Sequence, residues 1–144
     1  MSQWPTESEL KTQPEEPQSP WHILNAEAEQ LETQSEGKFA GQVTETVREE
    51  EVTYAFYIVV PQLRDYMYRL FEARMTNYLN PYPVEFRLFA KDPKNNQQAR
   101  CYTPEELRQK LTEWIQSPIT RLILSALTQQ IDIMASYRKD LDSN

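Results

Sequence analysis

From Val52 to Val60 nearly every position is β-branched or aromatic, Val-Thr-Tyr-Ala-Phe-Tyr-Ile-Val-Val, and Pro61 closes the run. Tyr54, Phe56, Ile58 and Val60 share one parity; Thr53, Ala55, Tyr57 and Val59 share the other, also largely apolar. A run coated on both sides predicts the central strand of a sheet. Phe39–Val47 alternates instead, with Phe39, Gly41 and Val43 against Gln42, Thr44 and Thr46, and predicts a half-exposed strand. Arg48-Glu49-Glu50-Glu51 joins the two as a charged turn. It lacks the Asn-Gly or Asp-Gly of a tight hairpin, so a connection longer than two residues is expected.

Residues 62–79 fit two periods. Leu63, Tyr66, Met67, Leu70, Phe71, Met75 and Tyr78 recur at helical spacing, yet Tyr66–Met75 also reads as an aromatic-rich strand. Val60 is a poor helix cap, which tips the reading toward a strand reached through a short Pro61–Asp65 loop. Asn80-Pro81-Tyr82-Pro83 is a stiff turn. Val84–Ala90 alternates again and is expected to be the last strand, with Lys91–Arg100 a polar loop.

Three helices announce themselves by their starts. Ser19-Pro20, Thr103-Pro104 and Ser117-Pro118 each place a capping hydroxyl before a proline at the first helical position. Glu106 completes a capping box with Thr103. The first helix carries a narrow stripe, Trp21, Leu24, Ala28 and Leu31, and stops at Gly37. The second carries Leu107, Leu111, Trp114 and Ile115. The third carries a broad one, Ile119, Leu122, Ile123, Ala126, Leu127, Ile131 and Met134.

Together these elements predict an α+β fold: an N-terminal helix, an antiparallel sheet of three to four strands, and two C-terminal helices packed on the sheet. Residues 1–18 are expected to be a disordered, acidic, proline-rich arm, 19–137 a single domain and 138–144 a polar tail. The sheet face bearing Tyr57 and Val59 also needs a cover, supplied by the first helix or by a second copy in an isologous homodimer.

Composition narrows the chemistry. The formal charge is −7, and it is uneven: residues 1–53 hold twelve acids and three bases, residues 54–144 ten acids and twelve bases. Cys101 is the one cysteine, so no internal disulfide forms, as suits a reducing compartment. The chain shows no signal-peptide pattern and no apolar run of about 20 residues, so a cytoplasmic protein without membrane contact is expected. With only Gly37 and Gly41, it has no glycine-rich phosphate loop. One histidine, His22, and one cysteine make neither a metal site nor an evident catalytic pair. No cofactor is expected. Arginines interleave with aromatics from Arg64 to Arg100, but the acidic balance disfavours nucleic acid.

These exclusions leave a non-enzymatic protein-binding or adaptor module. Its expected contacts are Trp4, Glu7, Glu9, Glu15 and Glu16 on the arm, Trp21 and Glu27 on the first helix, and Tyr57 on the sheet. Two alternatives stand beside it: an acidic mimic of nucleic acid that blocks a basic protein, and an enzyme that uses Cys101.

Overall fold

A computed structural model describes residues 4–10 and 19–142. The elements run α1 (Glu7–Leu10), α2 (Pro20–Gln34), β1 (Ala40–Arg48), β2 (Glu51–Val60), β3 (Tyr66–Met75), β4 (Val84–Leu88), β5 (Gln97–Cys101), α3 (Pro104–Ile115) and α4 (Pro118–Asp142). The chain is α+β, with one long helix, α2, before a five-stranded antiparallel sheet and two helices after it. The strands lie in chain order, β1-β2-β3-β4-β5.

The helix starts form as their sequences require. Ser19 accepts the His22 amide at 3.3 Å, and Thr103 accepts the Glu106 amide at 3.1 Å. The Glu106 carboxylate reaches back one residue beyond the cap, to the Tyr102 amide at 2.5 Å. Between α3 and α4 the Ser117 and Thr120 hydroxyls both donate to the Trp114 carbonyl at 2.7 Å. Those two bonds add to the one this carbonyl accepts from the Ser117 amide at 3.2 Å, at the end of α3 where carbonyls lose their helical partners. α4 continues through the polar stretch expected to be a tail, as far as Asp142.

All three long helices sit on one face of the sheet. Ile23, Leu24 and Ala28 of α2 join Leu107, Leu111 and Trp114 of α3 and Ile123 and Ile131 of α4 in one core. The sheet contributes Val52, Tyr54, Phe56, Ile58 and Val60 to the same core. Its centre is aromatic: Phe71 lies 5.5 Å from Phe56 and 5.4 Å from Phe86, and Phe86 stacks on Trp114 at 4.9 Å. α2 reaches the sheet at Gly41, which pairs with Ile58. A Cβ at Gly41 would stand 2.5 Å from the Ala28 Cα, so glycine sets how closely the helix approaches the strand.

The structure corrects four expectations. β5 occupies what reads as a polar loop. Gln97, Ala99 and Cys101 share the core-side parity, but Gln97 is polar and exposed, so the run lacks the apolar alternation of a strand. It is held by backbone pairing to β4 and by an Arg100–Glu85 ion pair at 2.9 Å. The β1–β2 connection is a two-residue turn, with Arg48 paired to Glu51 and Glu49 in the left-handed region at φ 57°. Leu122, assigned to the buried stripe of α4, is 59% exposed, because the buried line of this helix passes through Thr120, Ile123 and Ile131.

The fourth correction concerns the far face of the sheet. α2 does not cover it, because the Ala28–Gly41 contact places that helix beside α3 and α4. Instead, the face is dressed by its own long side chains. Arg69 lies over the rings of Tyr57 and Phe89, 5.8 Å from each centroid, and its guanidinium donates to the Tyr57 hydroxyl at 3.4 Å. Glu72 is only 6% exposed and accepts from Arg69 at 3.1 Å and Arg74 at 3.4 Å. Arginine stems thereby shield Ala55, which is buried on this face without a helix.

The strained turn gives a first prediction. A non-glycine residue in the left-handed region costs about 1 kcal/mol, and asparagine tolerates it better than glutamate. Glu49→Asn, which also relieves the run of three glutamates, is expected to stabilise the fold by about 0.5 kcal/mol. Urea unfolding at neutral pH measures it; an unchanged or lower midpoint refutes the account of the turn.

Candidate functional site

A recess with a volume of about 710 Å³ lies between α2 and α4, over the sheet. Its floor is Phe56, Ile58, Leu70 and Phe71. One wall is Glu27, Gln30, Leu31 and Gln34 of α2; the other is Ile115, Thr120 and Leu124. The floor owes its width to a bulge. Phe56 pairs with Phe71 but Tyr57 pairs with Arg69, so Leu70 is an extra residue in β3. Leu70 and Phe71 therefore both turn to the core side, where strict alternation would place only one of them.

Few polar groups line this groove, and most are already engaged. Thr120 is tied to the Trp114 carbonyl. Ser35 exchanges two 3.0 Å hydrogen bonds with the Phe39 backbone. Gln34 donates to Gln30 at 3.3 Å. Glu27 differs: among the described residues it has no hydrogen-bond or ion-pair partner, and burial raises its carboxyl above the usual carboxylate range. Glu29 also lines the groove but is exposed. An apolar floor with a half-buried acidic group on its wall suits an apolar ligand that carries a positive charge.

The raised Glu27 carboxyl has a consequence for stability. The folded chain holds this proton more tightly than the unfolded chain does. The group's contribution is therefore full below pH 4.5 and is lost as pH rises through the folded value. At pH 7 the charged carboxylate opposes folding. Glu27→Gln is expected to raise the unfolding midpoint at pH 7 and to give less at pH 4; urea titrations at both values test it. An equal gain at both would place the effect elsewhere.

The residues expected to form the site are dispersed. Trp4 is 84% exposed, and Glu7 lies in the single turn α1. Glu9 falls in the same turn; Glu15 and Glu16, with the rest of the arm from residue 11 to 18, lie outside the described residues. Trp21 packs on Tyr54, with ring centroids 5.3 Å apart, at the start of α2. Glu27 lines the groove two turns further on. Tyr57 lies on the opposite face of the sheet, under Arg69. Of the named residues whose side chains the structure describes, only Glu27 reaches the groove.

Sequence reading missed Gln30, Leu31, Leu70 and Leu124 as groove residues. One signal was present: Glu27 sits three residues after Leu24 and four before Leu31, on the apolar stripe rather than opposite it.

Cys101 is buried, and that burial, with Glu106 nearby, pushes its thiol pKa up. A nucleophilic thiolate requires the opposite shift. Among the described residues no cluster of three His, Cys, Asp or Glu could hold a metal ion. No helix is long and apolar enough to cross a membrane, again among the described residues. No protein-family model, curated protein or solved structure matches the chain.

Proposed function

We propose that this chain is a non-enzymatic protein-binding module, and that the α2–α4 groove receives an amphipathic segment of its partner. The observation that carries this reading is Glu27, a half-buried carboxylate without a partner among the described residues, on the wall of a groove with an apolar floor. A partner side chain with an apolar stem and a cationic head satisfies both features at once. Its stem covers Leu31 and Leu124, and its charge meets Glu27. Two helical walls suit a helical ligand laid between them. The acidic arm, with Trp4 and Glu7, adds a second contact to a basic partner surface.

The test uses a photo-crosslinking amino acid at Gln34, on the groove wall, and at Gln109, exposed on α3 away from it. Adducts in host cells are expected at Gln34 only, and are expected to vanish when Leu124→Glu is added. Circular dichroism confirms that the Leu124 variant is folded. Equal adducts at both positions, or adducts indifferent to Leu124→Glu, would overturn the proposal.

A further inference from the structure

A second recess, of about 260 Å³, opens at the N-terminal end of α2. Trp21, Tyr54 and Tyr78 supply three aromatic rings to it, and Glu45 a carboxylate. Pro20, Met75 and Pro81 complete the apolar lining, and Ser19 and His22 add polar groups at its edge. The Trp21 and Tyr54 rings meet at 54°, two inclined walls rather than a flat stack. Tyr78 is 58% exposed, and its hydroxyl donates to Glu45 at 2.6 Å, which ties the third ring to the acid. Tyr54 belongs to the same cluster: its phenol is pushed up to about 12 by burial first, then by the charges of Glu45 and Tyr78.

Aromatic faces carry negative charge density and attract cations within about 6 Å of the ring centre. A carboxylate beside three rings reinforces that preference. The positive end of α2 opposes it, but a helix terminus amounts to only about half a charge, against the full charge of Glu45. Ser19 already caps that terminus through the His22 amide.

The kind of cation follows from hydrogen bonding. A primary ammonium has three donors, and leaving water without replacing those bonds is costly. The lining offers one carboxylate, and one of its oxygens already accepts from Tyr78. A quaternary ammonium has no N–H to satisfy and gains from contact between its methyl groups and the rings. No lysine or arginine lines the recess, and the His22 ring that does is engaged through Nδ1 with the Ser19 hydroxyl at 2.6 Å, so a phosphate or carboxylate attached to the same ligand would meet Glu45 without a strong cationic partner.

We propose that this recess receives a quaternary methylammonium group on a trimethylated lysine side chain of a protein. The site lies at the opposite end of α2 from the groove and does not depend on it. Trp21 serves as its own reporter once Trp4 is replaced by phenylalanine; Trp114 is buried in the core. In the full chain with Trp4→Phe, a short neutral peptide bearing one trimethyllysine is expected to change Trp21 fluorescence saturably. The unmethylated peptide should bind about tenfold more weakly or worse. Tetramethylammonium should compete, and phosphocholine should compete less well. Glu45→Gln should weaken the trimethylated peptide about tenfold. Tyr78→Ala, at an exposed position, should do so without unfolding the chain. Equal binding of the two peptides, indifference to Glu45→Gln and Tyr78→Ala, or a preference for phosphocholine would each overturn the proposal.

Discussion

Gly41→Ala is expected to destabilise the fold by about 3 kcal/mol, since overpacking a closed contact typically costs 1–3 kcal/mol and backbone yields least. The added Cβ would meet the Ala28 Cα at 2.5 Å and the Ala28 Cβ at 2.6 Å. Side chains can rotate away from an intruder, but a helix backbone must move as a body. Such a shift would lift Leu24 and Ile23, which are almost wholly buried, off the sheet. Gly37, the only other glycine, provides the comparison. A Cβ added there would meet nothing within 4 Å, but φ is +81°. Gly37→Ala should therefore cost about 1 kcal/mol, the price of a left-handed alanine. Urea unfolding of both variants at neutral pH decides the matter; Gly41→Ala no worse than Gly37→Ala would show that the helix is free to retreat. Ala28→Gly in the Gly41→Ala background should recover part of the loss, because it removes the Cβ but leaves the Cα in place.

Phe71→Ala is expected to cost about 4 kcal/mol, at the centre of the range for a buried phenylalanine. Phe71 has no exposed surface and touches the rings of Phe56, Phe86 and Trp114. Domains are stable by about 5–15 kcal/mol, so this single truncation removes a large share of the total. Phe71→Leu, which keeps most of the volume, should cost less than about 1.5 kcal/mol. Phe86→Ala combined with Phe71→Ala should fall short of the sum, since the two rings lie 5.4 Å apart and share one cavity when removed. Thermal and urea unfolding supply the values. A loss for Phe71→Ala close to that of Phe71→Leu would mean that the aromatic cluster collapses around the hole.

The elements that sequence reading placed are those with a local cause. Each Ser-Pro or Thr-Pro start works within four residues, and the three helices begin where those pairs stand. β2 is legible because both of its faces are apolar. β3 is harder, since its bulge puts Leu70 and Phe71 on one side and breaks the alternation that marks a strand. β5 is silent in the sequence, because an edge strand of Gln-Gln-Ala-Arg-Cys is specified by its neighbour and not by its own side chains. The site was less legible than the fold. The groove depends on where two helices sit on the sheet, and the seat of α2 is set by Gly41 against Ala28, a contact between residues 13 apart. The far face was misread for a related reason. Tyr57 and Val59 read as a face in need of a helix or a second copy until Arg69 is known to pair with Tyr57 from the next strand and to lie over its ring.

Because neighbours in the sheet are neighbours in the chain, no strand has to search across the molecule for its mate. The β1–β2 turn needs two residues, and each later hairpin can zip onto the one before it. The entropy of bringing distant segments together is therefore small for a sheet of this width. Assembly of the ribbon should run faster than in Greek-key sheets of equal size, leaving the docking of α2 and α4 as the slow event, and the groove between them as the last part of the molecule to take shape.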